Sequence, residues 1–291
     1  MTFRESDVRC PDGRSLRVRE DGDANGLPIF SLHGTPGCRF LYPRHVEDAR
    51  RRGLRLIGYD RPGYGGSTPQ RDRRVVDAAY DVRAIADALG VERFAVWGHS
   101  GGGHHALACA AVLPPRVVAV AALASDAPYT EVTAEGGDWF RGMSDWHAQY
   151  YRWVLEDPSK LDALSPPEEP TREQFRERLS SILSDVDRAA LTDEMVDFAI
   201  ASDVEAQRDG MAGARDDTLA QLRPWGFDLR SVHAPLQLWQ GQQDRFVPFA
   251  FGQWLAAHLP EAEAHLEPNE GHLTMFEHRI PEVHEWLAAR F

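Results

Sequence analysis

No apolar run in this sequence approaches the roughly 20 residues that a membrane-spanning helix needs. The opening Met1-Thr2-Phe3-Arg4-Glu5 also lacks the apolar stretch of a secretory leader. Both absences point to a cytoplasmic protein with no membrane partner. Cysteine is scarce: Cys10, Cys38 and Cys109 are odd in number, widely spaced and without a Cys-x-x-Cys pair, which argues against a disulfide framework and a zinc ribbon and leaves three buried or half-buried thiols. Positive charge is in deficit, with 32 Lys and Arg against 45 Asp and Glu and a net charge of -13. A nucleic-acid footprint requires clustered cations, so nucleic acid is not an expected partner. Internal repeats and low-complexity tracts are missing too, apart from a Pro- and acid-rich stretch at Pro166-Pro167-Glu168-Glu169-Pro170.

What is present is an ordinary globular composition: 291 residues, 43% hydrophobic and 26% charged. That suits one large domain with an insertion, or two modest domains. Phe3 to Cys10, the turn Pro11-Asp12-Gly13-Arg14 and Ser15 to Glu20 read as a β-hairpin. Pro28 to Leu32, Leu54 to Tyr59, Phe94 to Trp97 and Val117 to Ala124 are apolar runs of the kind covered on both faces of a parallel sheet. Val75 to Leu89 has helical spacing and stops at Gly90, and His104 to Leu113 is a small-residue helix halted by Pro114-Pro115. From Asp126 to about Pro224 the pattern turns to acidic amphipathic helices such as Arg172 to Leu183 and Asp193 to Ala201. Sheet resumes at Pro235 to Gln240, then a helix from Pro248 to His258, a strand from Ala262 to Leu266 and a last helix to Phe291. The expected architecture is α/β: a mostly parallel, eight-stranded sheet flanked by helices, with core segments at 1–125 and 226–291 and a helical lid at 126–225. Such an insertion would lie over the carboxyl ends of the strands, where open α/β sheets bind ligands.

The chemistry centres on Gly98-His99-Ser100-Gly101-Gly102-Gly103, a Gly-x-Ser-x-Gly turn between an apolar strand and an Ala-rich helix. A nucleophile elbow needs that context, because the turn leaves almost no room for neighbouring side chains. A serine hydroxyl is a weak nucleophile and needs a histidine to take its proton and an acid to hold that histidine. Asp244, in Gly241-Gln242-Gln243-Asp244-Arg245-Phe246-Val247-Pro248, and His272, in Asn269-Glu270-Gly271-His272, each follow a strand, so Ser, Asp and His come in the chain order expected on such a sheet. Asp126, after the strand Val117 to Ala124, is the rival acid. For the oxyanion the candidate donors are the N–H of Gly101 and that of Thr35, in His33-Gly34-Thr35-Pro36-Gly37. His33, His99, His104 and His105 lack metalloprotease spacing, and neither a metal nor an organic cofactor is expected.

Together with Asp60-Arg61-Pro62-Gly63-Tyr64-Gly65-Gly66-Ser67, these motifs span nearly the whole expected sheet, and the chain resembles an α/β-hydrolase-fold serine hydrolase of the capped esterase and proline-iminopeptidase branch. The resemblance implies Ser100 as nucleophile, His272 as base, Asp244 as its acid, and Thr35 with Gly101 as oxyanion hole. The sequence departs from the iminopeptidase pattern, which usually has Gly-Gly where Gly34-Thr35 stand and Trp where His99 stands. A serine nucleophile also argues against the epoxide hydrolases and haloalkane dehalogenases of this fold, which use Asp. Asp60 and Arg61 are expected to brace a loop rather than to act directly. In the aromatic-rich start of the insertion, Phe140, Met143 and Trp146 recur at helical intervals, and Trp139 and Trp146, with Gly34 and His99, are candidate substrate contacts.

The expected activity is hydrolysis of a small or medium carboxylic ester, lactone or thioester through an acyl-enzyme. An aminopeptidase is the alternative, requiring an inward-pointing carboxylate in the lid to pair with the substrate's ammonium. A ligand-sensing protein with little turnover is the alternative from another class. Carbon–carbon hydrolysis and cofactor-independent oxygenation also occur on this scaffold. A small-molecule substrate is the expected partner, and the sequence leaves monomer and homodimer both open.

Overall fold

Short apolar runs bounded by tight turns alternate with amphipathic segments, and the chain folds them into one twisted sheet. The computed structural model describes residues 3–164, 168–180, 182–259 and 261–291, so Pro166 and Pro167 of the Pro- and acid-rich stretch lie outside the described residues. β1 (Arg4–Arg9) and β2 (Ser15–Gly22) form the expected hairpin, turned by Gly13 at φ 90°. There follow β3 (Leu27–Leu32), α1 (Pro43–Arg51), β4 (Leu54–Tyr59), α2 (Asp77–Ala88), β5 (Phe94–His99), α3 (Gly101–Val112) and β6 (Val117–Leu123). After the insertion come β7 (Leu236–Gly241), α10 (Phe249–His258), β8 (Glu263–Glu267) and α11 (His272–Ala288). The strand order is β1-β2-β4-β3-β5-β6-β7-β8 in one 8-stranded sheet. β2 runs antiparallel to β1 and β4, and every other pairing is parallel.

Alternate residues of the central strands feed two apolar layers, as the two-residue period of a strand requires. Phe30, Val96, Val120 and Leu238 pack with α2, α3 and α10 on one face, while Ile29, Ala95 and Ala121 pack with Val46 of α1 and with Met275, Ile280 and Val283 of α11 on the other. α1 was not marked by the sequence pattern: its buried residues are His45, Val46, Asp48 and Ala49, half of them polar, so no apolar stripe announces it. The Asp48 carboxylate is satisfied by Arg52 at 3.0 Å and by His284 of α11 at 3.0 Å.

The insertion between β6 and β7 carries α4 (Tyr129–Ala134), α5 (Asp145–Glu156), α6 (Arg172–Ser180), α7 (Asp185–Ala190), α8 (Asp193–Ala206) and α9 (Ala212–Leu222). Phe140 and Met143 do not share a helix with Trp146, because the chain from Asp138 to Ser144 is turns and α5 begins only after Ser144 caps it. Among the described residues no helix is long and apolar enough to cross a membrane. Cys10, Cys38 and Cys109 are buried and unpaired with one another.

A buried ion cluster fastens the insertion to the sheet. Asp217 of α9 receives Arg61 Nη2 at 2.6 Å, Arg73 Nη2 at 2.6 Å and the Tyr64 hydroxyl at 2.8 Å, and all four side chains are almost wholly removed from water. Burial alone would raise the Asp217 carboxyl pKa, but the two guanidinium charges more than reverse that and hold it well below the ordinary range. Removing one partner of such a cluster leaves charge stranded in a low dielectric. We expect Asp217→Ala to lower unfolding stability by about 3–5 kcal/mol in urea titrations, with Tyr64→Phe costing about 1 kcal/mol.

The turn from β5 into α3 is equally constrained, by shape rather than charge. A Cβ at Gly98 would run into the Gly102 carbonyl, and one at Gly102 into the Leu32 carbonyl. The obstructing atoms are backbone and cannot swing aside. Gly98→Ala should therefore destabilise by at least about 1–3 kcal/mol, read as a lower urea midpoint at unchanged m-value.

Candidate active site

β5 is the central strand, flanked by β3 and β6, and its carboxyl end delivers Ser100. Ser100 has φ 56° and ψ -129°, a conformation L-residues adopt at a cost of about 1–3 kcal/mol and keep only when the surroundings impose it. Here the Ser100 N–H donates to Leu123 O at 2.9 Å, and the Ser100 carbonyl accepts from Gly103 N at 2.8 Å. In a trans peptide the C=O and N–H point in opposite directions, so tying the Ser100 carbonyl into α3 turns the Gly101 N–H away from the helix.

Asp244 follows β7 and His272 opens α11 after β8, and the structure brings them together: His272 Nδ1 and Asp244 Oδ2 are 2.7 Å apart. The other oxygen, Asp244 Oδ1, accepts from the N–H groups of Phe246 and Val247, each at 2.8 Å, which fixes the carboxylate in its own loop. Ser100 and His272 both line one cavity of about 310 Å³. Burial works to lower the His272 pKa, but the Asp244 charge and hydrogen bond, with Asp187 and Asp126 behind them, outweigh it and raise it above the ordinary value. Phe246 stacks on the His272 ring at 4.8 Å between centroids and limits its rotation.

Asp126, the rival acid, sits beyond β6 and is not the partner of the His272 ring nitrogen. The neutral His104 ring lies beside it, Nδ1 at 3.6 Å, and burial pushes its carboxyl up to about 7. His99 turns its ring toward α11, where Nε2–H donates to the carbonyl of His272 at 2.9 Å. Burial, with His272 beside it, drives the His99 pKa well down, so the ring is a neutral donor, and the carbonyl acceptor assigns the proton to Nε2.

The loop after β3 faces the elbow. The ideal Cβ position on Gly101 lies 3.2 Å from Thr35 N, and that on Gly34 lies 3.8 Å from Ser100 Oγ, so Gly34, Thr35, Ser100 and Gly101 meet. Arg61 determines which way this loop points. It donates to His33 O, to Gly34 O at 2.8 Å and to Thr35 Oγ1 at 3.1 Å, while the Thr35 hydroxyl donates onward to Asp217 at 3.0 Å. Because the Gly34 carbonyl belongs to the same peptide as the Thr35 N–H, holding the carbonyl on Arg61 aims that N–H to the opposite side. Arg61 follows β4, and the loop that it braces through these bonds is the one after β3. Asp60 likewise ties two segments, accepting from Arg39 N of the loop after β3 at 2.6 Å and from Gly66 N of its own loop at 3.0 Å.

Of the four candidate substrate contacts, Gly34 and His99 line the cavity, whereas Trp139 and Trp146 do not. Trp139 is a core residue, wholly buried between Tyr151 and Phe251, with Nε1–H on Ala127 O at 2.8 Å. Trp146 is 61% exposed and stacks on Tyr150. The residues that do face the cavity from the insertion are apolar members of α6 and α8, such as Phe175, Leu179, Met195 and Phe198, together with Arg178 and Asp203. Arg178 Nη2 and Asp203 Oδ2 are 3.4 Å apart. His104 and His105 pack against each other and toward Trp225 instead, and among the described residues no group of His, Cys, Asp and Glu is arranged to hold a metal ion.

The chain is 28% identical over 281 residues to a 2-hydroxy-6-oxononadienedioate/2-hydroxy-6-oxononatrienedioate hydrolase of Paraburkholderia phymatum, covering 91% of this chain and 88% of that protein. It is 27% identical over 264 residues to one of Pseudomonas putida, covering 87% and 84%. Among solved structures it superposes on a thermophilic esterase from Thermogutta terrifontis with a TM-score of 0.70 at 19% identity, over 99% of both chains. Epoxide hydrolase A from Mycobacterium thermoresistibile superposes with a TM-score of 0.69 at 22% identity, over 100% of this chain and 98% of that one. At these identities the superpositions speak to fold alone. The family model for the alpha/beta hydrolase fold matches residues 28–279, and the chain is a hydrolase that belongs to that family.

Proposed function

We propose that this protein is a serine hydrolase that cleaves carboxylic esters of small or medium, largely apolar acids through an acyl-enzyme. The observation that carries the reading is a strained Ser100 and an Asp244-paired His272 on the wall of one apolar cavity. With Nδ1 engaged by Asp244, Nε2 is the nitrogen left to take the Ser100 proton. Oγ then bonds to the ester carbonyl carbon, and the carbonyl electron pair moves onto oxygen, facing the N–H groups of Thr35 and Gly101. Collapse expels the alcohol with the proton returned from His272, and a water deprotonated by the same ring releases the acid. In this reading residues 126–225 act as a lid whose α6 and α8 supply the apolar wall.

The names of the curated relatives support a second reading, hydrolysis of a carbon–carbon bond beside a ketone. Their named substrates are dioates, carrying two carboxylates. The lining of this cavity offers Arg178, already faced by Asp203, which favours a substrate with less charge. The same pair weighs against an aminopeptidase, since a substrate ammonium would have to compete with Arg178 for Asp203.

Steady-state hydrolysis of p-nitrophenyl esters of increasing acyl length, beside amino-acid p-nitroanilides and a vinylogous 1,5-diketone acid, separates these readings. We expect kcat/KM to rise and then fall along the ester series, with Ser100→Ala and Asp244→Asn each losing about 10⁴-fold in kcat. Turnover confined to the diketone or to the anilides would replace the ester reading. Tight ligand binding without turnover of any of them would indicate a sensor.

The neutral imidazole is the active form of the base, and its pKa is raised. Activity should therefore be full at high pH and lost as pH falls through a midpoint above the ordinary histidine value of 6.5, measured as the acid limb of kcat/KM.

A further inference from the structure

His272 is the first residue of α11, whose N-cap N–H, that of Gly271, donates to Thr274 Oγ1 at 2.6 Å, and whose next three N–H groups point to a more distant acceptor. A carboxylate from the insertion meets them. Asp187, in α7 and wholly buried, accepts the N–H of His272 at 3.0 Å through Oδ2, and those of Leu273 and Thr274 at 2.8 and 3.0 Å through Oδ1. Its orientation is set from its own side by the Ser184 hydroxyl, which donates to Oδ2 at 2.9 Å. The preceding residue is Gly271, where a Cβ would strike the Asp187 carboxylate. The chain thus reserves this space for a group that lies 85 residues away in sequence.

The main chain of His272 is consequently gripped at both polar atoms, its N–H by Asp187 and its carbonyl by His99 Nε2 at 2.9 Å. With Cα fixed, the ring has only its own torsions left, and those are limited by Asp244 and by the stacked Phe246. Three backbone donors at a helix start are also where a negative charge is most favoured electrostatically.

We propose that Asp187 is a positioning residue for the base: docking of the insertion through this carboxylate sets the place of the His272 main chain, and hence the aim of the imidazole at Ser100. The proposal rests on the serine-hydrolase reading above for its catalytic consequence, and on hydrogen bonds alone for its structural one. It makes α7 part of the machinery without touching substrate.

The test compares Asp187→Asn with the wild type and with Asp185→Asn, a neighbouring carboxylate whose side chain is 91% exposed. The amide keeps the volume but loses the charge and sets an N–H₂ against backbone donors. We expect plateau kcat on the best p-nitrophenyl ester to fall by about 10–100-fold with KM little changed, because a displacement of about 1 Å at a catalytic group has that effect. The groups facing His272 are Asp244, Asp126 after β6, His99 from β5, His147 from α5 and Asp187 itself. Removing the last of these carboxylates lowers the proton affinity of the ring, so the acid limb should move to lower pH, and the NMR titration of the His272 ring should move with it. Asp185→Asn should leave all of these unchanged.

A folded Asp187→Asn with wild-type kcat and an unmoved His272 titration overturns the proposal. So does a loss of kcat that tracks lower thermal stability while the titration stays in place. If Asp187→Asn does not fold, Ser184→Ala carries the test, with a smaller fall in kcat expected and an unchanged kcat overturning it. Should Ser100→Ala retain turnover, the serine chemistry itself fails, and the NMR titration still decides whether Asp187 acts on His272.

Discussion

The constraint on which the rest of this molecule depends is steric: the backbone around Ser100 has no spare volume. At φ 56° the serine is pushed out of the line of β5, and it stays there because the chain on either side is pressed against other backbone. Gly98 abuts the Gly102 carbonyl, Gly102 abuts the Leu32 carbonyl, and the ideal Cβ of Gly103 falls 2.6 Å from that of Ser125. β3, β5 and β6 thereby converge on one point, and the loops that follow them can approach closely enough to surround a single carbonyl group. The glycines are a consequence of that convergence, and the strain at Ser100 persists because no neighbour can yield.

A second, electrostatic constraint holds the other side of the cavity wall. Arg61 would by itself be a costly buried cation, and so would Arg73; Asp217 makes both tolerable and in doing so draws α9 onto the loops after β3 and β4. The arrangement has a directional result. Because Arg61 spends its donors on the His33 and Gly34 carbonyls, the peptides of that loop are turned with their N–H groups the other way. Stability of the insertion and orientation of the loop beside Ser100 are therefore one interaction seen from two sides, and substitutions at Asp217 will not separate them cleanly.

This division explains what was legible in the sequence. Ser100 is legible because it stands in a Gly-x-Ser-x-Gly turn between a strand and a helix, and Asp244 and His272 because each follows a strand in the expected chain order. The central strands are legible because they are largely buried on both faces and largely apolar. α1 did not show, since Asp48 and His45 are buried in it through partners in α11. Asp187 and Asp217 did not show either. Each is one acid among many in an acidic insertion, and what distinguishes them is contact with residues 85 and 156 positions away. The aromatic residues misled in the opposite sense: Trp139 and Trp146 have the composition of a pocket wall, but one is sealed into the core and the other faces water, a difference that depends on where the turn from Asp138 to Ser144 sends the chain. Phe175 and Phe198, which do face the cavity, gave no more signal than any amphipathic helix residue.

The charge balance around His272 follows from the same packing. A general base must be basic enough to accept the serine proton and yet unprotonated at working pH, so its pKa has an upper bound as well as a lower one. Three carboxylates raise the proton affinity of this ring. Asp244 is bonded to the ring, and Asp187 is held by backbone donors. Asp126 is different: it is buried, and its neighbour His104 is pushed down to about 3 and brings no positive charge, so its carboxyl rises to about 7. As the pH falls Asp126 takes up a proton and withdraws negative charge from beside His272. That limits how far the ring's proton affinity can climb. In the reading proposed above, with His272 as the base, the Asp126 carboxyl moderates the basicity of that ring.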